Sequence, residues 1–391
     1  MGAPADLATV LIAGLASMFM AWAIGAGSSG STPFAPAVGA NAISVMRAGF
    51  IVGILGLLGA VFQGANVSAA VGRELIVGQT LTPGAAAVAL LTAAGLVAFG
   101  VFSGYPIATA FTTTGAVVGA GLALGGAPAW AKYTEIVALW VSVPFVGGGT
   151  AYATAVSLRR ADVDTYTAPA LGGVVGLIVA NIGFVFLGPP DTSQSLATTI
   201  AATLPVTTLT GQALVSLVVA VLVAAVLARD MRADPTAGQR HFLVALGGLV
   251  AFSAGGSQVG LAVGPLLPLI GDDIRLIYIL LGGGIGLLAG SWTGAPRMIK
   301  ALAQDYSSLG PRRSIAALIP SFAIAQVAVF FGIPVSFNEI IVSAIVGSGY
   351  AAGSAGVSRR KMGYTVLAWA GSLTVAFTLG YGVFTIVTTI T

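Results

Sequence analysis

Two stretches of glycine and small hydroxyl residues have the composition of an oxyanion cradle. In residues 25–32, GAGSSGST, seven of eight positions are Gly, Ser or Thr. Such residues bring backbone N–H groups close to an anion and add hydroxyl donors, and a helix N-terminus would supply a positive dipole end. Residues 255–258, GGSQ, repeat the theme. The candidate contacts are Gly27, Ser28, Ser29 and Thr32 from the first stretch and Gly256, Ser257 and Gln258 from the second. Neutral donors suit an anion that must be released again. Close helix packing is the plain alternative, since it also favours Gly and Ser. Residues 25–30 also match G-x-G-x-x-G, but an apolar helix precedes them and no acidic residue occurs between Asp6 and Glu74. A dinucleotide site needs a strand before the motif and an acidic residue after it.

A second pair of segments carries further polar groups. Residues 104–123, GYPIATAFTTTGAVVGAGLA, offer Thr109, Thr112, Thr113 and Thr114, and residues 332–351, GIPVSFNEIIVSAIVGSGYA, offer Ser336, Asn338 and Glu339. Glu339 has no basic residue near it in sequence. An ionisable side chain inside an apolar segment is costly and is by default a functional candidate. With Asn338 it could carry a proton or ligate a cation; the alternative is a water-filled vestibule or a distant arginine partner.

The elements that hold these residues are membrane helices. Only 7% of the 391 residues are charged and 57% are hydrophobic, against about 25% charged in soluble domains. Mean hydropathy is +1.00, and apolar runs of about 20 residues, the length that crosses a bilayer as helix, recur throughout. Continuous spans are expected near 6–24, 49–71, 84–102, 132–157, 167–188, 211–229, 241–254, 274–291, 314–331 and 362–388. Segments 25–46, 103–124, 255–271 and 332–353 are apolar but broken by Gly, Pro, Ser and Thr, and read as discontinuous or re-entrant helices, since irregular backbone at membrane depth must be buried or line a cavity. Continuous apolar runs exclude a β-barrel. The N-terminus lacks a basic region and reads as a retained first helix. The chain has no cysteine and one histidine, His241, so thiolate chemistry is excluded and no metal or cofactor is expected. The basic residues lie in short clusters between spans, as topology signals do, so the basic pI implies no nucleic-acid partner.

The chain also repeats itself. Gly104 to Gly332 is an offset of 228 residues and Gly27 to Gly256 one of 229. Two unrelated motifs with nearly the same offset imply duplication, with repeats at 1–160 and 239–391 joined by linker helices in 161–238. Arg159 and Arg160 close the fourth continuous span, whereas Arg359, Arg360 and Lys361 open its counterpart. By the positive-inside rule 158–166 and 229–240 are cytoplasmic, and 189–210 and both termini external. Equivalent helices would then run oppositely, which makes the repeats inverted, a hallmark of secondary transporters.

These paired motifs resemble the inorganic phosphate transporter (PiT) family, related to the sodium–phosphate symporters. That family carries two G-A-N-D-V-A-N-A motifs, each followed by a P-V-S-T-T-H-like hairpin. Residues 251–266, AFSAGGSQVGLAVGPL, align without gaps with a family-like AFAHGANDVANAIGPL, and residues 104–106 and 332–336 align with the hairpins. Phe34, Ala37, Val38 and Gly39 carry the first motif. This chain departs where the family has Asn-Asp: Ser28 and Ser29 stand there in the first motif (Gly27 and Ser28 in the alternative register), and Ser257 and Gln258 in the second. The hairpin Thr-Thr-His is replaced by Thr109-Ala110-Phe111 and Phe337-Asn338-Glu339. The resemblance implies an all-α polytopic transporter of about 10–12 helices in the plasma or inner membrane, carrying inorganic phosphate or sulfate with H⁺ or Na⁺. A homodimer is compatible with it. A non-transporting scaffold is the reading from another class, disfavoured by the paired broken helices. An enzyme lacks the required carboxylate, Cys or His clusters.

Overall fold

The structure is a computed structural model that describes residues 7–160, 166–188, 193–270, 274–306, 309–353 and 357–390. It is almost entirely helical. Helix α1 (Leu7–Ile24) runs into a single π turn (Gly25–Ser29) and a short α2 (Ala35–Gly39). Helices α3 (Val45–Gln63) and α4 (Ala65–Arg73) precede α5 (Pro83–Ser103) and α6 (Thr109–Ala123), and α7 (Trp130–Arg160) follows. Next come α8 (Ala168–Asn181), α9 (Leu196–Ala201) and α10 (Thr208–Ala233). The second half contains α11 (Pro235–Val263), α12 (Leu267–Ile270), α13 (Leu276–Thr293), α14 (Ala295–Asp305), α15 (Pro311–Phe330), α16 (Phe337–Tyr350) and α17 (Arg359–Ile390). Two ribbons of paired dipeptides tie loops together, Ile76–Val77 with Ala127–Pro128 and Gly183–Phe184 with Gln194–Ser195.

Among the described residues, nine helical segments are long and apolar enough to cross a membrane. Their outward faces carry large apolar side chains such as Phe145, 76% exposed. Water would penalise that surface; hydrocarbon does not.

Local chemistry sets the ends. Thr82 caps α5 by accepting from the Ala85 N–H at 3.3 Å, with Pro83 at the first helical position. Asp234 caps α11 through the N–H groups of Thr236 and Ala237 at 2.9 and 3.1 Å, ahead of Pro235. A missing N–H costs nothing there, and an oxygen acceptor satisfies orphan amides. Helices α5 and α15 both run out into glycines in the left-handed region, Gly104 (φ 73°) and Gly332 (φ 61°). Pro106 and Pro334 follow within two residues and block helical continuation. An extended stretch intervenes before α6 and α16 start.

Packing recurs with the sequence offset. Helix α1 lies on α5 and α13, and α11 lies on α15 and α3. Helix α6 packs on α17, and α16 on α7. The Trp140 indole on α7 donates to the Pro334 carbonyl at 2.8 Å, and the Trp369 indole on α17 donates to the Pro106 carbonyl at 2.8 Å. Each long helix therefore clasps the other half's Gly-x-Pro turn.

Three expected spans differ. The run 167–188 is α-helical only over α8 (Ala168–Asn181), after which Gly183–Phe184 pairs with Gln194–Ser195. The run 49–71 is not one helix but α3 and α4, broken at Gly64, where a β-carbon would fall 2.5 Å from a Val259 methyl. The segment 255–271, expected to be broken, continues as regular α-helix to Val263. Its glycines serve contact: a β-carbon on Gly255 would meet the Gly56 carbonyl oxygen at 1.9 Å, and one on Gly260 the Ser68 nitrogen at 2.6 Å.

Candidate anion site

The two motif pairs meet at one buried junction. Ser28 lies in the π turn that ends α1, Gln258 lies within α11, Thr109 is the first residue of α6, and Ser336 immediately precedes α16. Thr109 Oγ1 donates to Gln258 Oε1 at 2.7 Å, and Ser28 Oγ donates to the same oxygen at 3.1 Å. The Gln258 amide donates to the Val335 carbonyl. Asn338 Nδ2 donates to the carbonyls of Gly27 at 3.0 Å and Ile107 at 2.7 Å. One glutamine and one asparagine thus stitch the beginnings of α6 and α16 to each other and to the end of α1.

Burial is nearly complete. Ser28, Thr109, Ser257, Gln258 and Ser336 are 0% exposed, Asn338 1%, Ser29 and Glu339 2%. Buried polar atoms almost always find partners. Among the described residues five buried side-chain atoms here and nearby have none: Ser257 Oγ, Ser336 Oγ, Thr114 Oγ1, Asn338 Oδ1 and Glu339 Oε2. All five belong to residues that the sequence offers. The three hydroxyls can donate to an anion; the amide and carboxyl oxygens accept, and suit a proton or a metal cation.

Other expected residues are placed differently. Thr32 Oγ1 donates to the Ser28 carbonyl at 3.0 Å, which commits its hydroxyl to the turn. Ser29 is buried in the π turn. Gly256 is pressed against α3, where a β-carbon would lie 2.6 Å from Gln63 Cβ, and one on Gly27 would lie 2.7 Å from a Val101 methyl. Residues 25–29 form the end of α1, so they present no helix N-terminus. The positive dipole ends come instead from α6 and α16, with α16's first-turn Asn338 and Glu339 beside Ser336. Thr114, with its unpaired hydroxyl, is offered by its segment, although Thr109 alone is assigned as the contact there; the two clasping tryptophans are not singled out from the sequence. Trp140 and Trp369 are 229 residues apart in equivalent spans, a signal present in the sequence. Among the described residues no cluster of three His, Cys, Asp or Glu could hold a metal.

The phosphate transporter family (PHO4) matches residues 9–380, nearly the whole chain. The chain belongs to that family. As a family member it is a multi-pass membrane transporter and not an enzyme, as the sequence implied. Among its relatives is the inorganic phosphate transporter 2-1, chloroplastic, of Arabidopsis thaliana, 25% identical over 93% of this chain and 70% of that one. A protein of Thermococcus kodakarensis bearing the phosphate permease name is 24% identical over 94% and 95%. The fold matches a solved structure, the sodium-dependent phosphate transporter, at a TM-score of 0.81 and 22% identity, over 98% of this chain and 100% of that one.

Proposed function

We propose that the protein carries inorganic phosphate across the cell membrane by alternating access, holding it at the junction of α1, α6, α11 and α16. The observation that carries this reading is the meeting of two helix starts, α6 and α16, through Gln258 and Asn338, with buried unpaired hydroxyls on the neighbouring residues Ser257 and Ser336. Helix starts and neutral donors stabilise an oxyanion without a fixed cation that would trap it. Sulfate, another tetrahedral oxyanion, satisfies the same donors. The family name and the names of the relatives favour phosphate.

Alternating access needs two halves that rock about the site. The reciprocal Trp140–Pro334 and Trp369–Pro106 bonds support halves related by exchange. Arg159, at the end of α7, donates to the Ala351 carbonyl shortly before α17 begins. That contact sets the end of α7 against the C-cap of α16, in the segment that leads to α17, an arrangement consistent with inverted repeats. On this reading 158–166 and 229–240 face the cytoplasm and 189–210 the outside; residues 161–165 and 189–192, Asp191 among them, lie outside the described residues.

Coupling is assigned to Glu339 with Asn338. The family's motif aspartates are replaced by Ser29 and Gln258, leaving Glu339 as the buried carboxylate of the junction. A proton is the cation favoured here; sodium ligated by Asn338 Oδ1 and Glu339 is the alternative. Purified protein in liposomes, given labelled phosphate or sulfate under separate sodium and pH gradients, tests the assignment. Phosphate accumulation driven by an inward proton gradient is expected. Accumulation driven by sodium alone would move the coupling to the alternative, and sulfate transport without phosphate transport would end the substrate reading.

A further inference from the structure

Two grooves on the lipid-facing surface are built alike but end differently. One, about 430 Å³, lies between α7, α16 and α17 and is lined by Val346, Met362 and Trp369, with Gly148 and Gly149 opening its floor. The other, about 400 Å³, lies between α6, α7 and α17, with Val118, Tyr133 and Trp140 in the corresponding places. Both walls are overwhelmingly apolar. A β-carbon on Gly149 would meet nothing within 4 Å, so the first groove is open where it is deepest in glycine.

Charge separates them. Near Tyr133 in the second groove the cation is Lys132, paired with Glu74 at 2.9 Å and Glu135 at 3.3 Å. The first groove ends at Tyr350 and Met362, beside the two basic clusters of α7 and α17. The sequence here holds five basic residues (159, 160 and 359–361) against two acidic ones, Asp162 and Asp164. Arg159 is anchored on the Ala351 carbonyl, next to Tyr350. Arg360 lies over the Tyr364 ring at 5.7 Å. Both are exposed, and among the described residues neither forms an ion pair. An apolar slot of membrane-facing helices ending in excess positive charge matches one molecule of the surroundings. It has an acyl chain and an anionic headgroup.

We propose that the α7–α16–α17 groove binds an anionic phospholipid, its acyl chain along Gly149 and Val346 and its phosphate against Arg159 and Arg360. Basic pockets between transmembrane helices recognise such headgroups, each Lys or Arg contributing about fivefold in affinity. The lipid would lie along α16, whose far end carries Ser336, Asn338 and Glu339. Occupancy therefore acts on the helix that builds the anion site, without touching the site.

The full chain, purified in detergent, is titrated with phosphatidylglycerol or phosphatidylcholine while thermal unfolding is followed. Phosphatidylglycerol should raise the unfolding temperature at lower concentration than phosphatidylcholine. Arg360→Gln, at an exposed position, should raise the half-saturating concentration of phosphatidylglycerol about fivefold, and adding Arg159→Gln should raise it again. Gly149→Leu fills the groove and should abolish the effect, whereas Thr374→Leu in the second groove should leave it intact. Equal stabilisation by both lipids, or a preference that survives both arginine changes, overturns the proposal. So does a Gly149→Leu protein that keeps its lipid response but changes from dimer to monomer, which would make the groove a contact between two copies of the chain.

Discussion

Ser257→Ala and Ser336→Ala separate binding from folding in a way ordinary buried serines do not. Each hydroxyl is fully buried and unpaired in the protein, and an unsatisfied buried donor costs about 1–3 kcal/mol. Removing it forfeits no internal hydrogen bond, so the variants should unfold at the same or a higher temperature without phosphate. A hydrogen bond to a charged ligand is worth about 1.5–3 kcal/mol, so each change should weaken phosphate binding roughly 10- to 100-fold. At a phosphate concentration 100 times the wild-type Kd, ligand linkage stabilises the wild type by about 2.7 kcal/mol. The same concentration would stabilise a tenfold weaker variant by about 1.4 kcal/mol. Thr109→Val is the contrast, because its hydroxyl donates to Gln258 at 2.7 Å. That variant should lose about 1 kcal/mol of stability as well as affinity. Thermal unfolding with and without phosphate, beside the concentration dependence of uptake, reads both quantities. Serine variants that keep the full phosphate-induced shift would refute the placement of the anion; serine variants that are themselves destabilised would refute the reading of their hydroxyls as unpaired.

Glu339→Gln should abolish accumulation driven by a pH gradient while sparing downhill exchange; a variant that still concentrates phosphate in response to that gradient removes Glu339 from coupling. Trp140→Phe and Trp369→Phe each delete the partner of a buried proline carbonyl and should cost similar amounts, about 1–3 kcal/mol, by thermal unfolding; a large effect from one alone argues against equivalent halves. Gly255→Ala places a methyl 1.9 Å from the Gly56 carbonyl oxygen and should prevent recovery of folded protein, whereas Gly14→Ala, with nothing within 4 Å, should not; normal yields of both would contradict the close α3–α11 crossing. The chain has no cysteine, so a cysteine at Ser193 reports topology cleanly: labelling from the outside is expected, and labelling only from the cytoplasm would invert the orientation.

Much of the architecture was legible because hydrocarbon imposes simple rules. Apolar runs of spanning length mark helices, and the Gly104-x-Pro106 and Gly332-x-Pro334 pairs mark two breaks where only a left-handed turn followed by a ring that blocks helix will fit. The proposed duplication rests on their spacing. The break at Gly64 was hidden, since one glycine in an apolar run signals nothing until Val259 is packed against it. The opposite error at 255–271 has the same origin: Gly255 and Gly256 read equally as a broken helix or a close crossing, and only the facing backbone of α3 decides. For the site, residue types pointed to Ser28, Thr109, Gln258, Ser336, Asn338 and Glu339, which the fold gathers at one junction. The direction of the dipoles was not legible, because it depends on which motif starts a helix and which ends one. Thr32's commitment to the Ser28 carbonyl is likewise a property of the turn and not of the residue.

Counterflow tests the central claim of a phosphate carrier most directly. Liposomes containing the purified protein are loaded with unlabelled phosphate, diluted into a trace of labelled phosphate, and sampled over time with no ion gradient imposed. A site that opens to one side at a time exchanges label inward while unlabelled phosphate leaves, so internal label should rise transiently above equilibrium and then decay. Loading with phosphate, but not with chloride, should produce the overshoot. A monotonic approach to equilibrium, unaffected by what is loaded inside, would contradict alternating access at this junction.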